Sequence, residues 1–327
     1  MKCSVKIAVL LCGIVAAFVS CDDDSDGVGE KQVTRKASQE ATYLLYMVGQ
    51  NNLSSSLDEN VKDLMAGYEA SDVDANILVY ADLNAAPELY LLEKDRNGNV
   101  QKTTVKTYPD QYSVDPEVMH AVLTEVFANY PATRRGVTFS SHADGSLYHS
   151  NTAGKRAFGD EGSDEGSGHY TMNVTDLREA LSDCPYLDMI MFDACMMGSV
   201  ETAYELKDCA RYFLAAPNSV IASGFPYDEI LVDMVRMDAA GLSRMGQAYM
   251  DYYRSNDVEW DDFASISVTD LSCMDSLALY MDSLFQSPLV QARPAYLDRA
   301  DLQHFENGYA LYDFGEWVDS LGGDNPY

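Results

Sequence analysis

Short apolar runs bounded by Gly, Pro, Asn or Asp alternate along this chain with stretches whose apolar residues recur every three or four positions. The first pattern predicts buried strands and the second amphipathic helices. Strands are expected at 42–48, 76–82, 137–141, 187–193, 212–216 and 262–268. Two more, at 89–93 and 100–105, flank Arg96-Asn97-Gly98-Asn99, whose Asn-Gly pair signals a hairpin turn. Helices are expected at 54–65, with Leu57, Val61 and Leu64 on one face, and at 174–181, 199–206, within 228–254, at 273–285 and at 312–321. Asp115 caps a further helix that runs to Asn129, before Pro131 stops it. Strands alternating with helices imply an α/β fold, a three-layer α/β/α sandwich around a mainly parallel sheet. No internal repeat or change of composition divides 41–327, so one domain is expected there.

Two of the runs end in reactive side chains. Val137-Thr138-Phe139-Ser140-Ser141 leads into His142, and Leu187-Asp188-Met189-Ile190-Met191-Phe192-Asp193-Ala194 into Cys195. Open parallel sheets carry their chemistry beyond the carboxyl ends of the strands, so residues 53 positions apart can meet there. A thiolate attacks a carbonyl carbon while an imidazole takes and returns the proton. Cys195 is expected on a strand-to-helix turn, where a helix N-terminus favours the thiolate and backbone N–H groups can hold an oxyanion. Gly198 lets the backbone turn closely behind it. Alternation puts Asp193 on the same face as Cys195; its other reading is a helix N-cap.

Charge narrows the partners. The 327 residues carry a formal charge of −30, so nucleic acid is not an expected partner and basic ligands are favoured. Residues 1–20 read as an export signal: Lys2 and Lys6 precede an apolar stretch too short to span a bilayer, and Ser20-Cys21 closes it. Cys21 is the expected lipidation site, followed by an acidic, flexible tether over 21–40. This arrangement resembles Gram-negative lipoproteins carried to the outer membrane or cell surface, with the lipid anchor as the only membrane contact. Of the seven cysteines, Cys184, Cys209 and Cys273 are left as free, buried thiols. No paired metal-ligand spacing occurs, so no metal site is expected.

Phe192-Asp193-Ala194-Cys195-Met196-Met197-Gly198, with Glu201 beyond, resembles the nucleophile motif of the clostripain family. Tyr43-Leu44-Leu45-Tyr46-Met47-Val48-Gly49 resembles that family's opening strand, and Thr138-Phe139-Ser140-Ser141-His142 its histidine strand. The resemblance spans 42–320 and implies a caspase-like fold and an endopeptidase cleaving after Arg, with Lys second. It makes His142 the base, Cys195 the nucleophile and Asp193 the acid that receives the basic side chain. Fork geometry favours Arg at such a carboxylate. The family places glycines after its histidine, whereas Ala143-Asp144-Gly145 stands here, leaving the N–H groups of Ala143 and Cys195 as oxyanion donors.

The Gly-, Ser- and acid-rich segment 146–170 contains Lys155-Arg156-Ala157 in small, polar surroundings that suit a protease nick. Family members are commonly cut into light and heavy chains between His and Cys. Self-cleavage after Arg156, or Lys155, with a new terminus at Ala157, is therefore expected of a monomeric zymogen. Some relatives need calcium, but the acidic half of this segment does not match an EF-hand, so no cofactor is assigned. His149 and His169 lack ligand spacing, and His120 and His304 fall in helical patterns. Two other readings stay open: a surface-binding lipoprotein with a weak or dead site, and another acyl-transfer enzyme using the same dyad.

Overall fold

The computed structural model describes residues 39–83, 85–145, 158–162, 170–255, 264–291, 302–305 and 311–321. The chain runs through β1 (Gln39–Val48), α1 (Ser54–Ala70), β2 (Asn76–Asp82), β3 (Glu88–Lys94), β4 (Val100–Thr107), α2 (Pro116–Asn129) and β5 (Ala132–Ser140). It continues through β6 (Phe158–Glu161), β7 (Tyr170–Met172), α3 (Val174–Leu181), β8 (Leu187–Asp193), α4 (Val200–Glu205) and β9 (Ala210–Ala215). Then come α5 (Tyr227–Arg236), α6 (Ala239–Ser255), β10 (Ser267–Asp270), α7 (Met274–Gln286), α8 (Pro288–Gln291), β11 (His304–Phe305), β12 (Leu311–Tyr312) and α9 (Phe314–Ser320).

Eight strands form the central sheet in the order β10-β9-β8-β5-β1-β2-β3-β4. The five from β9 to β2 are parallel, while β3, β4 and β10 add antiparallel edges. Burial on both faces explains why the inner strands are continuous apolar runs. In β1, Leu44, Tyr46 and Val48 face one layer and Tyr43, Leu45 and Met47 the other. Apolar faces of α2, α3 and α4 cover the first layer; those of α1, α5 and α6 cover the second. Each fully buried Leu or Phe in these layers contributes about 1.5–3 kcal/mol.

Helix ends follow local chemistry. Asp115 accepts from Glu117 N–H at 2.8 Å and Val118 N–H at 3.4 Å, as a cap should. Asn173 and Asp176 close a reciprocal capping box on α3.

Several boundaries differ from the sequence expectation. The first helix continues to Ala70, because Gly67 packs directly against the backbone of Asp228 in α5. β10 begins only at Ser267, and residues 256–263 lie outside those described. His304 lies in strand β11 rather than in a helix. The short β6–β7 hairpin was not expected from so polar a stretch; its anchor is Phe158, fully buried between Phe139 and Phe192 at centroid distances of 5.7 and 5.9 Å. Among the described residues no helix is long and apolar enough to cross a membrane.

Candidate active site

Chain order reverses between β5 and β1, making their carboxyl ends the switch point of the sheet. β5 pairs with β8 in a register that sets Ser140 opposite Asp193. His142 and Cys195 each follow two residues beyond that pair, so both leave the same edge from neighbouring strands. Both are part-exposed, whereas Ser140, Ser141 and Asp193 beneath them are buried. Their loops touch directly: a Cβ on Gly145 would lie 2.3 Å from the carbonyl oxygen of Met196.

The turn after the nucleophile is strained. Met196 has φ 56°, a left-handed conformation that costs a side-chain-bearing residue about 1–3 kcal/mol. Its N–H donates to Asn218 C=O at 3.0 Å, and Gly198 N–H to Ala216 C=O at 2.8 Å, fixing the turn against the exit of β9. The helix expected at 199–206 forms, but its N-terminus lies five residues beyond the thiol. α4 starts at Val200 and is capped by Ser199, whose hydroxyl accepts from Thr202 N–H at 3.2 Å. The macrodipole fades within a turn, so its influence at Cys195 is small.

The loop after β9 embraces both chemical groups of β8. Val220 N–H lies 3.3 Å from Cys195 Sγ, and Sγ lies 3.5 Å from Val220 C=O. Four residues on, a Cβ on Gly224 would stand 2.5 Å from Asp193 Oδ2. Asp193 is therefore not a helix cap: its Oδ2 accepts from Tyr227 Oη at 2.8 Å. Tyr227, fully buried at the start of α5, also sits 3.4 Å from Ser140 Oγ. Burial pushes the Asp193 carboxyl up to about 6, against the opposing pull of the Tyr227 phenol. An acid held in this way is ready to ionise when a cation arrives.

The imidazole has a partner that sequence reasoning missed. His142 Nε2 lies 2.6 Å from Asn52 Oδ1. If Nε2 carries the proton, Nδ1 is left as the free lone pair of the neutral ring. The signal was present: Gly49-Gln50-Asn51-Asn52 follows β1, the strand beside β5. Ala143 forms an isolated bridge with Phe158, closed by Gly159 N–H donating to His142 C=O at 2.9 Å.

Among the described residues, Cys184, Cys195, Cys209 and Cys273 are thiols outside any disulfide. Cys184 and Cys209 are only part-buried, and Cys273, expected inside, is exposed because it precedes α7 on the surface. Among the described residues no group of three or more His, Cys, Asp or Glu side chains could hold a metal. Cys21, Lys155, Arg156, Ala157, His149 and His169 lie outside the described residues. A separate cavity of 1080 Å³ opens beyond Met196 and Pro217, walled by Phe285, Phe305 and Trp317. It does not include His142, Cys195 or Asp193.

The clostripain family model matches residues 45–313. Clostripain of Hathewaya histolytica is 24% identical over 232 residues, covering 61% of this chain and 44% of that protein. The chain thus spans less than half the length of that curated relative. A secreted cysteine protease from Bacteroides thetaiotaomicron, solved with an irreversible peptide inhibitor, is 30% identical with a TM-score of 0.73, covering 86% of this chain and 78% of that one. An inactive zymogen protease from Parabacteroides distasonis is 28% identical with a TM-score of 0.70, covering 88% and 80%. On the match over most of its length, with the sheet and site residues described above, this chain belongs to the clostripain family.

Proposed function

We propose that this protein is an exported cysteine endopeptidase that cleaves after Arg, and less readily after Lys. The supporting observation is the Ser140–Asp193 register, which carries an imidazole and a thiol off one sheet edge above a buried, hydrogen-bonded carboxyl.

In this reading Asp193 receives the guanidinium of the substrate and fixes the next carbonyl beside Cys195. His142 Nδ1 takes the thiol proton while Nε2–H donates to Asn52 Oδ1. Sulfur attacks the carbonyl carbon, and the N–H groups of Ala143 and Cys195 hold the oxyanion. As the tetrahedral adduct collapses, the imidazolium gives its proton to the departing amine, leaving a thioester. Water, deprotonated by His142, then hydrolyses that thioester and restores the thiol. The same specificity accounts for self-cleavage after Arg156 or Lys155, producing a two-chain monomer. Cys21 would tether the protein by lipid to the cell surface, where it meets basic protein substrates.

Fluorogenic peptides ending in Arg, Lys, Asp and Leu test this with wild type, Cys195→Ala and Asp193→Ala. Turnover of Arg peptides, lost with Cys195 and stripped of Arg preference with Asp193, is expected. Wild type is also expected to purify as two pieces with a new terminus at Ala157, and Cys195→Ala as one. Absence of turnover, even after trypsin cuts the 156–157 bond, would leave a binding protein on a peptidase fold.

A further inference from the structure

Asp82, closing β2, is fully buried, and Glu161, closing β6, is 2% exposed. Adjoining residues bring their carboxyl groups together, Ser113 Oγ donating to Asp82 at 2.6 Å and Val114 N–H to Glu161 at 3.1 Å. Two carboxylates offer only acceptors, so this contact needs one proton shared between them. Asp82 already accepts from Gln50 Nε2 at 2.8 Å and from Ser113 Oγ at 2.6 Å, which leaves Glu161 as the natural carrier of the proton. Glu161 in turn accepts from Val114 N–H at 3.1 Å. Since the Ser113 proton goes to Asp82, Tyr80 Oη donates to Ser113 Oγ at 2.7 Å. Among the described residues, the other ionisable groups facing the pair are Tyr46 from β1, Tyr80 from β2, and Asp110 and Tyr112 from the loop before α2. None of these is a cation. Burial, with the bond to Asp82 next, pushes Glu161 up to about 8.

The pair joins the two segments that seat the imidazole. On one side, Gly49 N–H donates to Asp82 C=O at 2.7 Å, Gln50 binds the Asp82 carboxyl, and Asn51 Nδ2 donates to Asp160 C=O at 2.6 Å. The next residue is Asn52, on His142 Nε2. On the other side, β6 reaches the histidine segment through Gly159 N–H to His142 C=O at 2.9 Å and Asp160 N–H to Ser141 Oγ at 3.4 Å. Phe158 anchors the start of β6 in the core, and Glu161 anchors its end.

We infer that Asp82 and Glu161 are positioning residues: their shared proton clamps β6 to the 49–52 loop, and losing it at alkaline pH slackens the seat of His142. This rests on the proteolytic reading above. Two carboxylates so placed repel each other, and the loop that presents Asn52 is fastened to one of them.

The test is kcat/KM on an Arg peptide between pH 5 and 9.5, with the melting temperature followed over the same range. Wild type, Glu161→Gln and Glu161→Leu are compared, with Cys195→Ala as the blank. In wild type, kcat/KM falls about ten-fold by pH 9 as a group near 8 ionises. Glu161→Gln keeps both hydrogen bonds without a titrating proton, so it retains activity at pH 7 and its alkaline fall moves upward. Glu161→Leu lowers kcat about 10- to 100-fold at every pH with KM little changed, the cost of a displaced imidazole. A Glu161→Gln profile superimposable on wild type overturns the inference. Stability supplies the arm that needs no turnover. A proton held to higher pH in the folded state than in the unfolded one makes stability fall from about pH 4.5 to 8. The part of that slope above about pH 6, beyond the range of Asp193, should vanish in Glu161→Gln, and its persistence overturns the shared proton even if every peptide is left uncut.

Discussion

Asn52 Oδ1 and His142 Nε2 lie 2.6 Å apart across the point where chain order in the sheet reverses. The amide oxygen can only accept, so it selects the tautomer with the proton on Nε2 and steadies the imidazolium formed during turnover. Asn52→Ala is expected to lower kcat about 10- to 100-fold with a smaller change in KM. Asn52→Asp, which keeps an acceptor in place, should recover part of the loss. Steady-state kinetics and the rate of Cys195 alkylation by iodoacetamide read the same effect. Unchanged alkylation and turnover in Asn52→Ala would remove this residue from the mechanism.

The architecture was legible because β2, most of β1 and the carboxyl-terminal halves of β5 and β8 are buried on both faces and so are written as largely apolar runs. The meeting of His142, Asp193 and Cys195 at one sheet edge was legible because they sit at or just beyond the ends of those runs. What stayed hidden depends on contacts between distant loops. Asn52 looks like any turn asparagine until β1 and β5 are paired. Tyr227 looks like a helix-start aromatic until α5 is set under Asp193. The helix after Cys195 was legible at its true start near 199–200, but the left-handed Met196 within the turn was not, because no local residue preference announces it. β6 was hidden by its polar surroundings, since a single Phe158 supplies most of its anchor.

In the proposed role of Asp193 as the acid that receives the basic side chain, its titration predicts an acid limb separate from that of the imidazole and thiol. Its carboxyl is raised from 3.8 to about 6 by burial, so below that value the pocket is neutral and cannot pair with a guanidinium. Efficiency on Arg peptides should therefore climb as pH rises through about 6. Tyr227→Phe removes the hydrogen bond that favours the ionised form, and should move this limb upward by roughly one unit. Folding stability carries the opposite sign. It is fully present below 3.8 and lost as pH rises through about 6, because the folded protein keeps a proton that the unfolded chain releases. Asp193→Asn should abolish the acid limb in pH–rate profiles and, in melting curves, remove the Asp193 share of the stability loss while leaving that of Glu161.

Thiol labelling should separate the four cysteines of the folded body. Burial raises the Cys209 thiol to about 11 and raises Cys184 as well, keeping both protonated at neutral pH. Cys273 is exposed and Cys195 part-exposed at the sheet edge. Brief treatment with iodoacetamide at pH 7, followed by peptide mass mapping, is expected to mark Cys195 and Cys273 and to spare the other two. Loss of peptidase activity should follow the Cys195 adduct alone, and Cys273→Ser should leave the inactivation rate unchanged. Inactivation that tracked Cys209 instead would contradict the burial described here.

Gly224 offers a way to disturb the pocket without touching its charge. The residue has φ 65°, and an added Cβ would come within 2.5 Å of one Asp193 carboxylate oxygen and 3.0 Å of the other. A methyl group there must displace the carboxylate from Tyr227 or bend the loop that also carries Val220 beside the thiol. The backbone conformation adds about 1 kcal/mol of strain for an L-residue. Gly224→Ala is therefore expected to raise KM for Arg peptides about ten-fold or more, as a displaced ion-pair partner should. Direct alkylation of Cys195, which needs no basic side chain, should slow far less. Equal losses in the two assays would mean that the loop serves the nucleophile rather than the pocket, and would detach Asp193 from substrate recognition.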